Sequence, residues 1–226
     1  SDLVVSNSDA EYTYNKLIKR EISEAKTERR KLKVATKSLA GFSLLLGLDN
    51  TKGKKVDLSH HNVYFPENYD AEFDEIFTKK VPVSDPTIYI CAPKDDSMVK
   101  GVDKEAWFVL VNAPRHDPEN GWNWNSGGDQ YSEKIIKKLD RLGLNVSNRI
   151  DFMKFRTPAD LENYALAPGG SIYGTSSNSP ASAFLRAKNR SKINGLFCVG
   201  GSAHPGGGLP LVGISAEIVA NAIGKA

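Results

Sequence analysis

The 226-residue sequence has few cysteines, no long apolar run and little net charge. Its two cysteines, Cys91 and Cys198, lie in apolar runs without CxxC spacing, which favours buried thiols over a disulfide and fits a reducing compartment. No stretch of about 18 apolar residues occurs, and the basic, apolar and small-residue pattern of a signal peptide is missing. These absences predict an intracellular, cytoplasmic protein that does not span a membrane.

Metal and nucleic-acid sites also lack support. His60 and His61 would alternate faces on a strand, and no further His or Cys follows at ligand spacing, so we expect no metal site. The acidic loop around Asp95 and Asp96 lacks the EF-hand spacing of a calcium site. The net charge is only +3, and basic residues are not interleaved with aromatic ones. No nucleic-acid partner is therefore predicted.

Positive charge is concentrated in residues 16–33, where eight Lys or Arg stand against three Glu. This segment is predicted to continue an early helix that carries Tyr14 and Leu17. A solvated helical face is the simpler interpretation, and contact with an anionic membrane surface is the alternative.

The remaining pattern alternates between strands and helices. Short runs rich in β-branched, aromatic and other apolar residues predict strands in LVVSN, SLAGFSLLLGL, SHHNVYF, PTIYICAP, EAWFVLVNAP and RIDFMKF. Apolar residues at helical spacing predict helices in YDAEFDEIF and YSEKIIKKLDRLGL, and Thr157 and Pro158 begin another. PTIYICAP and EAWFVLVNAP, joined by a polar loop, are predicted to be antiparallel neighbours. The fold class is therefore mixed, α plus β, with a mostly antiparallel sheet.

One predicted strand has two unlike faces. In SLAGFSLLLGL the bulky face holds Phe42, Leu44, Leu46 and Leu48. The opposite face holds Gly41, Ser43, Leu45 and Gly47. Small residues on a strand face allow a backbone or a flat ligand to approach closely, although a bulge or simple packing explains them equally well.

The polar loop NGWNWNSGG contains Trp122 and Trp124. An ordinary packed loop is the favoured interpretation. The alternative is that the two tryptophans are exposed, either as an anchor at a membrane interface or as the rim of a substrate channel.

Most of the chemical signal lies in GLFCVGGSAHPGGGLPLVGIS. An apolar strand from Leu196 to Val199 is followed by two glycine segments and then by a helix from about Pro210 that ends at Gly224. The residues predicted to be buried on this helix are Leu211, Ile214, Ile218 and Ala222. Glycines let a ligand touch the backbone, and a helix N-terminus carries partial positive charge, so the segment favours an electron-rich ligand. A glycine-rich loop without any ligand is the alternative.

This string resembles the C-terminal flavin signature of the bacterial and fungal phytoene desaturase family, within the FAD-dependent amine-oxidase-like superfamily. The family pattern is an apolar strand, then G-x-x-x-HPG-x-G-x-P and a helix, and GGSAHPGGGLPLVGISAEIVANAI fits it. DLVVSNSDAEYTY, LLLGLDN, LSHHNVYFPENYDAEFDEIF and SAFLRAKNRSKINGLFCVGG resemble other parts of the family. The resemblance covers most of the chain, and the HPG segment is its most specific part.

The resemblance implies a division of the chain and a missing piece. Residues 1–10 and 195–226 would be remnants of a Rossmann-like FAD-binding domain, and 11–194 would be the substrate-binding domain. The G-x-G-x-x-G turn that holds the FAD pyrophosphate in the family is absent from the sequence. We therefore expect a C-terminal fragment of a longer enzyme that binds FAD poorly and is inactive alone.

The implied activity is that of an FAD-dependent, carotenoid desaturase-like oxidoreductase. Such an enzyme removes hydrogen from a long apolar isoprenoid by hydride transfer to flavin N5, and it touches the cytoplasmic membrane peripherally. Gly200 and Gly201 would lie near the pyrophosphate or the ribityl chain. Pro205, Gly206, Gly207 and Gly208 would lie against the isoalloxazine. The helix N-terminus at Pro210, Leu211 and Val212 would stabilise charge on flavin N1 and the C2 carbonyl.

His204 is the one histidine in this signature. A general-base role has the right pKa range, and Ser202 two residues earlier suggests a Ser–His pair. The G-x-S-x-G nucleophile elbow is absent, so a flavin-orienting or structural histidine is favoured over a hydrolase. We assign no catalytic residue. The alternatives are a carotenoid isomerase or oxygenase of the same family, or a stand-alone carotenoid- or lipid-binding module without redox activity.

Overall fold

The structure is a computed structural model that describes residues 2–176 and 186–224. The chain divides into two compact units. One, the central unit, is Gly41–Ala159, and the other, the terminal unit, joins the residues up to Ala40 with those from Asp160 onward. Part of the SAFLRAKN stretch used for the resemblance, residues 182–185, lies outside the described residues.

The central unit is built on a five-stranded sheet with the order β3-β4-β5-β2-β6. The strands are β2 Ala40–Asp49, β3 His61–Tyr64, β4 Ile88–Cys91, β5 Lys104–Ala113 and β6 Ile150–Arg156. Its helices are α3 Tyr69–Phe73, which continues as a π-helical turn Asp74–Lys79, and α4 Gly128–Arg141. Single 3₁₀ turns lie at Asn50–Lys52, Asp96–Met98 and Ser147–Arg149. The pairs β3–β4, β4–β5 and β2–β6 are antiparallel, which confirms the predicted fold class and the pairing of PTIYICAP with EAWFVLVNAP.

One face of this sheet forms the core with α4. The bulky side chains of β2 are at most 2% exposed, as the alternation of the strand predicts. Ile135 and Leu139 of α4 belong to the same apolar cluster. The helix ends where Gly143 adopts a φ of +81°, a left-handed conformation that favours glycine.

Trp124 belongs to this core and not to a membrane or channel rim. Its side chain is 2% exposed, its ring centroid is 5.5 Å from that of Phe42, and its Nε1–H donates to the carbonyl of Pro114. Trp122 is half-buried and packs against the same cluster. The interpretation as an ordinary packed loop is therefore confirmed, because both tryptophans pack against the core cluster of the central unit.

Two buried charges of the central unit have structural partners. Arg149 is fully buried, forms an ion pair with Glu105 at 3.0 Å and lies over the ring of Trp107. Glu72 accepts hydrogen bonds from Thr87 and Asn112. Because each charge is paired or hydrogen-bonded, these residues hold strands and loops together.

The terminal unit contains a two-stranded parallel sheet. Its elements are β1 Val4–Ser6, α1 Ala10–Tyr12, α2 Lys26–Val34, α5 Pro158–Ala165, which begins in the central unit, β7 Leu196–Cys198 and α6 Leu209–Ile223. A π-helical turn covers Thr13–Leu17, and 3₁₀ turns lie at Ser23–Ala25 and Pro168–Gly170. In the sheet, Val5 of β1 pairs with Phe197 of β7.

Residues 16–33 do not form the single helix that their composition suggests. After the π-helical turn the chain is non-helical until Ser23, and α2 begins at Lys26. The Arg29 side chain donates to the carbonyls of Tyr14, Ile18 and Lys19 at 2.7 to 2.9 Å. It thereby satisfies backbone acceptors that a continuous helix would have paired internally.

The unit boundaries also differ from those that the resemblance suggested. Tyr14, Ala25 and Leu32 share an apolar cluster with Ala187 and Cys198, so the segment that includes α1 and α2 packs with β7. Residues 11–40, 160–176 and 186–194 therefore belong to the terminal unit, and the predicted division into a substrate domain and FAD-domain remnants stays a prediction. The function of each unit stays a prediction.

Helix α6 buries a different face from the predicted one. Ser215 and Val219 are buried, whereas Leu211 is 39% and Ile214 is 45% exposed. Within the described residues, no helix has both the length and the apolar character to cross a bilayer.

Candidate functional site

The glycine signature lies in the loop between β7 and α6. Strand β7 ends at Cys198, and Gly200 follows with a φ of +105°, a conformation that other residues adopt only with strain. Its N–H donates to Ser215 Oγ of α6 at 3.2 Å. The first glycine pair thus makes the turn and ties the strand to the buried side of the helix.

Asn189 fixes the path of this loop. Its side-chain Nδ2 lies 3.1 and 2.8 Å from the carbonyl oxygens of Cys198 and His204 and 3.0 Å from Ser215 Oγ, so its two N–H groups are shared among three acceptors. The residue is 6% exposed, so these bonds form away from water. One side chain therefore positions the strand end, the histidine backbone and the helix.

Arg186 performs a similar role on the other side of the loop. Its guanidinium donates to the carbonyls of Tyr173 and Gly201, at 2.7 and 2.9 Å, and burial lowers the pKa of this arginine. A Cβ on Gly206, whose φ is +148°, would lie 3.3 Å from Arg186 Nε. Gly206 is therefore packed against Arg186.

Gly207 is covered by an aromatic ring of the same unit. A Cβ at this position would overlap the ring of Tyr173, so this glycine is required by packing within the chain. The expectation that its bare backbone faces a flavin conflicts with this arrangement unless Tyr173 moves.

His204 and Ser202 do not form a catalytic pair. Ser202 Oγ accepts a hydrogen bond from the N–H of Ala10 at 2.9 Å, at the start of α1. The His204 side chain is exposed, and its backbone N–H donates to the Ala187 carbonyl. The serine hydroxyl caps a helix, so the arrangement gives the hydrolase alternative no support.

The N-terminus of α6 is the most accessible part of the signature. Gly208 is its N-cap with a φ of +94°, and Leu209, the first helical residue, is 89% exposed. The first turn contains no acidic residue, and its N–H groups precede the first internal bond, from Val212 N to the Gly208 carbonyl. Exposed donors with partial positive charge can bind an electron-rich group.

The residues present fit a flavin edge in part. A Cβ on Gly208 would meet nothing within 4 Å, so the space beside this residue is open next to the helix N-terminus. Gly206 and Gly207 are packed by Arg186 and Tyr173 instead. The accessible part of the signature is therefore His204, Gly208 and the first turn of α6. The structure gathers the predicted residues in this one loop and helix: Gly200, Gly201, His204, Pro205, Gly206, Gly207, Gly208, Pro210, Leu211 and Val212.

A second candidate surface lies on the outer face of the central sheet, opposite the core. There a cavity of about 480 Å³ is lined mainly by apolar residues. They include Leu45, Gly47, Met98, Phe108 and Phe152. Gly47 pairs with Phe152 on β6, and a Cβ on Gly47 would lie 3.2 Å from the Phe152 Cβ. The small face of β2 thus leaves room for an aromatic neighbour and for an apolar cavity.

Three residues that shape the loop were missed by sequence reasoning. Asn189, Arg186 and Tyr173 lie in polar or mixed stretches, and their contacts depend on the tertiary fold. Arg186 and Asn189 could have been noticed as polar residues shortly before the apolar strand at Leu196, whereas nothing in the sequence around Tyr173 indicates its contact with Gly207.

Comparisons with known proteins give one group of relatives. A 1-hydroxycarotenoid 3,4-desaturase from a Flavobacterium species is 36% identical over 99% of this chain and 44% of its own length. A zeta-carotene-forming phytoene desaturase from Myxococcus xanthus is 34% identical over 97% of the chain and 41% of its length. A 4,4'-diapolycopene oxygenase from a Methylomonas species is 31% identical over 99% and 44%. The chain thus spans less than half the length of these relatives.

No protein-family model matches the chain. Among solved structures, an oxidoreductase from Methanosarcina mazei is similar with a TM-score of 0.56 and 14% identity, over 97% of this chain and 42% of that one. At this identity the likeness shows the fold alone.

Proposed function

Because this chain is a carotenoid desaturase-like sequence along nearly its whole length, we propose that it is part of an FAD-dependent oxidoreductase that removes hydrogen from a long apolar isoprenoid. The observation that carries the proposal is the exposed N-terminus of α6, which has no acidic residue in its first turn and lies next to the open space at Gly208. FAD, when bound, would supply the two-electron acceptor through hydride transfer to N5.

The chain's own residues would hold the flavin through the backbone. Gly200 and Gly201 are proposed near the pyrophosphate or the ribityl chain. The first turn of α6, with Pro210 to Val212, is proposed near the electron-rich N1 and C2 carbonyl, because its dipole stabilises negative charge there without reorganisation. Gly208 is the open glycine of this segment, and Asn189 and Arg186 would keep the loop in position.

The outer-face cavity of the central unit is our candidate for contact with the isoprenoid. Its apolar lining favours a hydrocarbon chain, since burying apolar surface yields about 25 cal/mol per Å². Leu45, Phe108 and Phe152 are each more than a third exposed on this face, so an apolar ligand could cover them.

Peripheral membrane contact is proposed for the basic segment 16–33. Lys16, Lys19 and Arg20 are exposed, and so are the apolar side chains of Leu17 and Ile22 nearby. Cations beside exposed apolar groups suit an anionic lipid surface, from which an apolar substrate could be drawn.

The function is tested by expressing the natural gene that encodes this chain in cells that accumulate phytoene or an already desaturated carotenoid. The proposal expects a pigment with more conjugated double bonds, identified by its absorption spectrum and mass. A pigment that gains oxygen instead would favour the oxygenase alternative, which the similarity to 4,4'-diapolycopene oxygenase supports. Unchanged carotenoids in every host would contradict both.

Two matched variants separate the cofactor role from the substrate role. Gly208→Val should lower flavin occupancy, because a side chain would enter the open space beside the helix N-terminus and because valine is strained at the φ of +94°. Leu45→Asp should lower turnover while flavin absorbance stays normal, because a carboxylate would face the apolar cavity. Normal flavin occupancy in Gly208→Val would argue against the cofactor placement.

A further inference from the structure

Three side chains that commonly ligate transition metals converge at the edge of the central sheet. Cys91 Sγ and one ring nitrogen each of His60 and His61 all lie within 4.8 Å of one another. His61 and Cys91 are directly paired residues of the antiparallel strands β3 and β4, so their side chains share a face of the sheet.

His60 joins them because it is not part of the strand. Strand β3 begins at His61, and His60 occupies the bend before it, with its ring centroid 4.4 Å from that of His61. The argument that strand alternation keeps the two histidines apart is therefore wrong. The backbone at this bend is still held, since the His60 carbonyl accepts a hydrogen bond from Ala92 N at 2.8 Å.

The geometry suits a tetrahedral cation. Zn²⁺ binds imidazole nitrogen at about 2.0–2.1 Å and thiolate sulfur at about 2.3 Å, so neighbouring ligand atoms stand about 3.3–3.6 Å apart. Both histidines are exposed and Cys91 is half-buried, so small side-chain rotations close the remaining gap without backbone movement.

A fourth residue orients the set. Tyr89, two residues before Cys91 on the same face of β4, has its hydroxyl 2.8 Å from His61 Nδ1. When Nδ1–H of His61 donates to the Tyr89 hydroxyl oxygen, Nε2 of the same ring keeps its lone pair for a metal, as in metal-binding histidines that donate to an outer partner.

We propose that His60, His61 and Cys91 form a binding site for Zn²⁺, with a water molecule as the fourth ligand. Binding replaces the S–H bond of Cys91 by an S–Zn bond and releases one proton to the solvent. Cys91 also lines the outer-face cavity, so the cation would lie at the edge of that cavity. The proposal is independent of the flavin and of the reaction.

The experiment uses the untagged protein, freed of metal with a chelator and then titrated with Zn²⁺ against a chromophoric competitor. We expect one equivalent bound and a thiolate-to-metal charge-transfer band when Co²⁺ replaces Zn²⁺. Cys91→Ser and His61→Ala should each weaken binding by at least about 100-fold, and Tyr89→Phe by about 10-fold, within the range known for outer partners.

Cys198→Ser and His116→Gln are the matched controls, because they remove a cysteine and a histidine outside the cluster. Both should keep the affinity of the unchanged protein, and circular dichroism should confirm that every variant is folded. If Cys91→Ser does not fold, the Zn²⁺ affinity of His61→Ala, a change at an exposed position, tests the proposal by itself. Unaltered affinity in His61→Ala, a Co²⁺ spectrum without the charge-transfer band, or failure to bind one equivalent of Zn²⁺ would overturn the proposal.

Discussion

The ring of Tyr173 occupies the space that any side chain at position 207 would need. We therefore expect Gly207→Ala to lower the free energy of unfolding by about 1–3 kcal/mol, the range for overpacking. In a background of Tyr173→Ala the same change should cost much less, because the obstructing ring is gone. Urea unfolding of the two single variants and the double variant measures this coupling.

Gly213→Ala is the control for that cycle. Gly213 lies inside α6, and a Cβ there would meet nothing within 4 Å. The substitution should leave stability unchanged or raise it by up to about 1 kcal/mol, because alanine favours a helix over glycine. Equal losses at 207 with and without the tyrosine ring would contradict the packing explanation.

Cys198 makes the free energy of unfolding depend on pH in the alkaline range. Burial raises the pKa of this thiol from 9.0 to about 11, with a smaller opposing effect from Tyr14. The folded protein thus keeps the proton longer than the unfolded chain. The free energy of unfolding that the buried, protonated Cys198 contributes is fully present below about pH 9 and is lost as the pH rises through about 11.

The measurement is urea unfolding across this pH range for the unchanged protein and for Cys198→Ala. The decline of unfolding free energy with pH should be shallower in the variant than in the unchanged protein. Identical slopes in the two proteins would show that Cys198 does not contribute.

The position of the candidate site could be predicted from sequence, but its contacts could not. The glycines and the following helix mark the loop because their conformational preferences are local. Tyr173 and Asn189 act across 34 and 15 residues of sequence, onto Gly207 and His204, and no local pattern records such contacts. For the same reason, Gly207 was assigned to a ligand although it is packed by the chain itself.

At the scale of elements, α6 offers a direct test of which face it buries. Val219 is 4% exposed, and Val219→Ala should cost about 1–3 kcal/mol of unfolding free energy through lost burial and a cavity. Ile214, at 45% exposure, should tolerate Ile214→Ser within about 0.5 kcal/mol. Urea unfolding measures the loss of unfolding free energy in both variants. A larger loss in Ile214→Ser than in Val219→Ala would support the buried face that the sequence predicted.

Strand β2 and helix α6 show where the element-level prediction succeeds and fails. In β2 large and small residues alternate strictly, so the period of two identifies the buried face. In α6 apolar residues surround the helix, and the buried side contains Ser215, which bonds Asn189 and Gly200. Hydrophobic spacing therefore selected a face with more apolar side chains than the one that is packed.

For the whole molecule, the basic segment 16–33 predicts salt-dependent binding to anionic vesicles. Binding to phosphatidylcholine vesicles that contain phosphatidylserine should fall as salt rises, and pure phosphatidylcholine should bind little. Lys19→Ala and Arg20→Ala should each weaken binding about five-fold, at about 1 kcal/mol per basic residue near the surface.

Lys137→Ala is the control for vesicle binding, because Lys137 is an exposed lysine of α4 outside the basic segment. It should bind as the unchanged protein does. Vesicle binding that does not change with salt, or an equal loss of affinity in all three variants, would contradict a membrane contact through the basic segment.

The pairing of β2 with β6 has a consequence for the order of folding. These strands open and close the central unit, and Ser43 lies directly opposite Arg156. Once they pair, the chain of 41–159 is a closed loop, and the two parts of the terminal unit meet with little further loss of chain entropy. We expect pulsed hydrogen exchange during refolding to protect β2 and β6 before β1 and β7. Earlier protection of β1 would mean that the terminal unit forms without this closure.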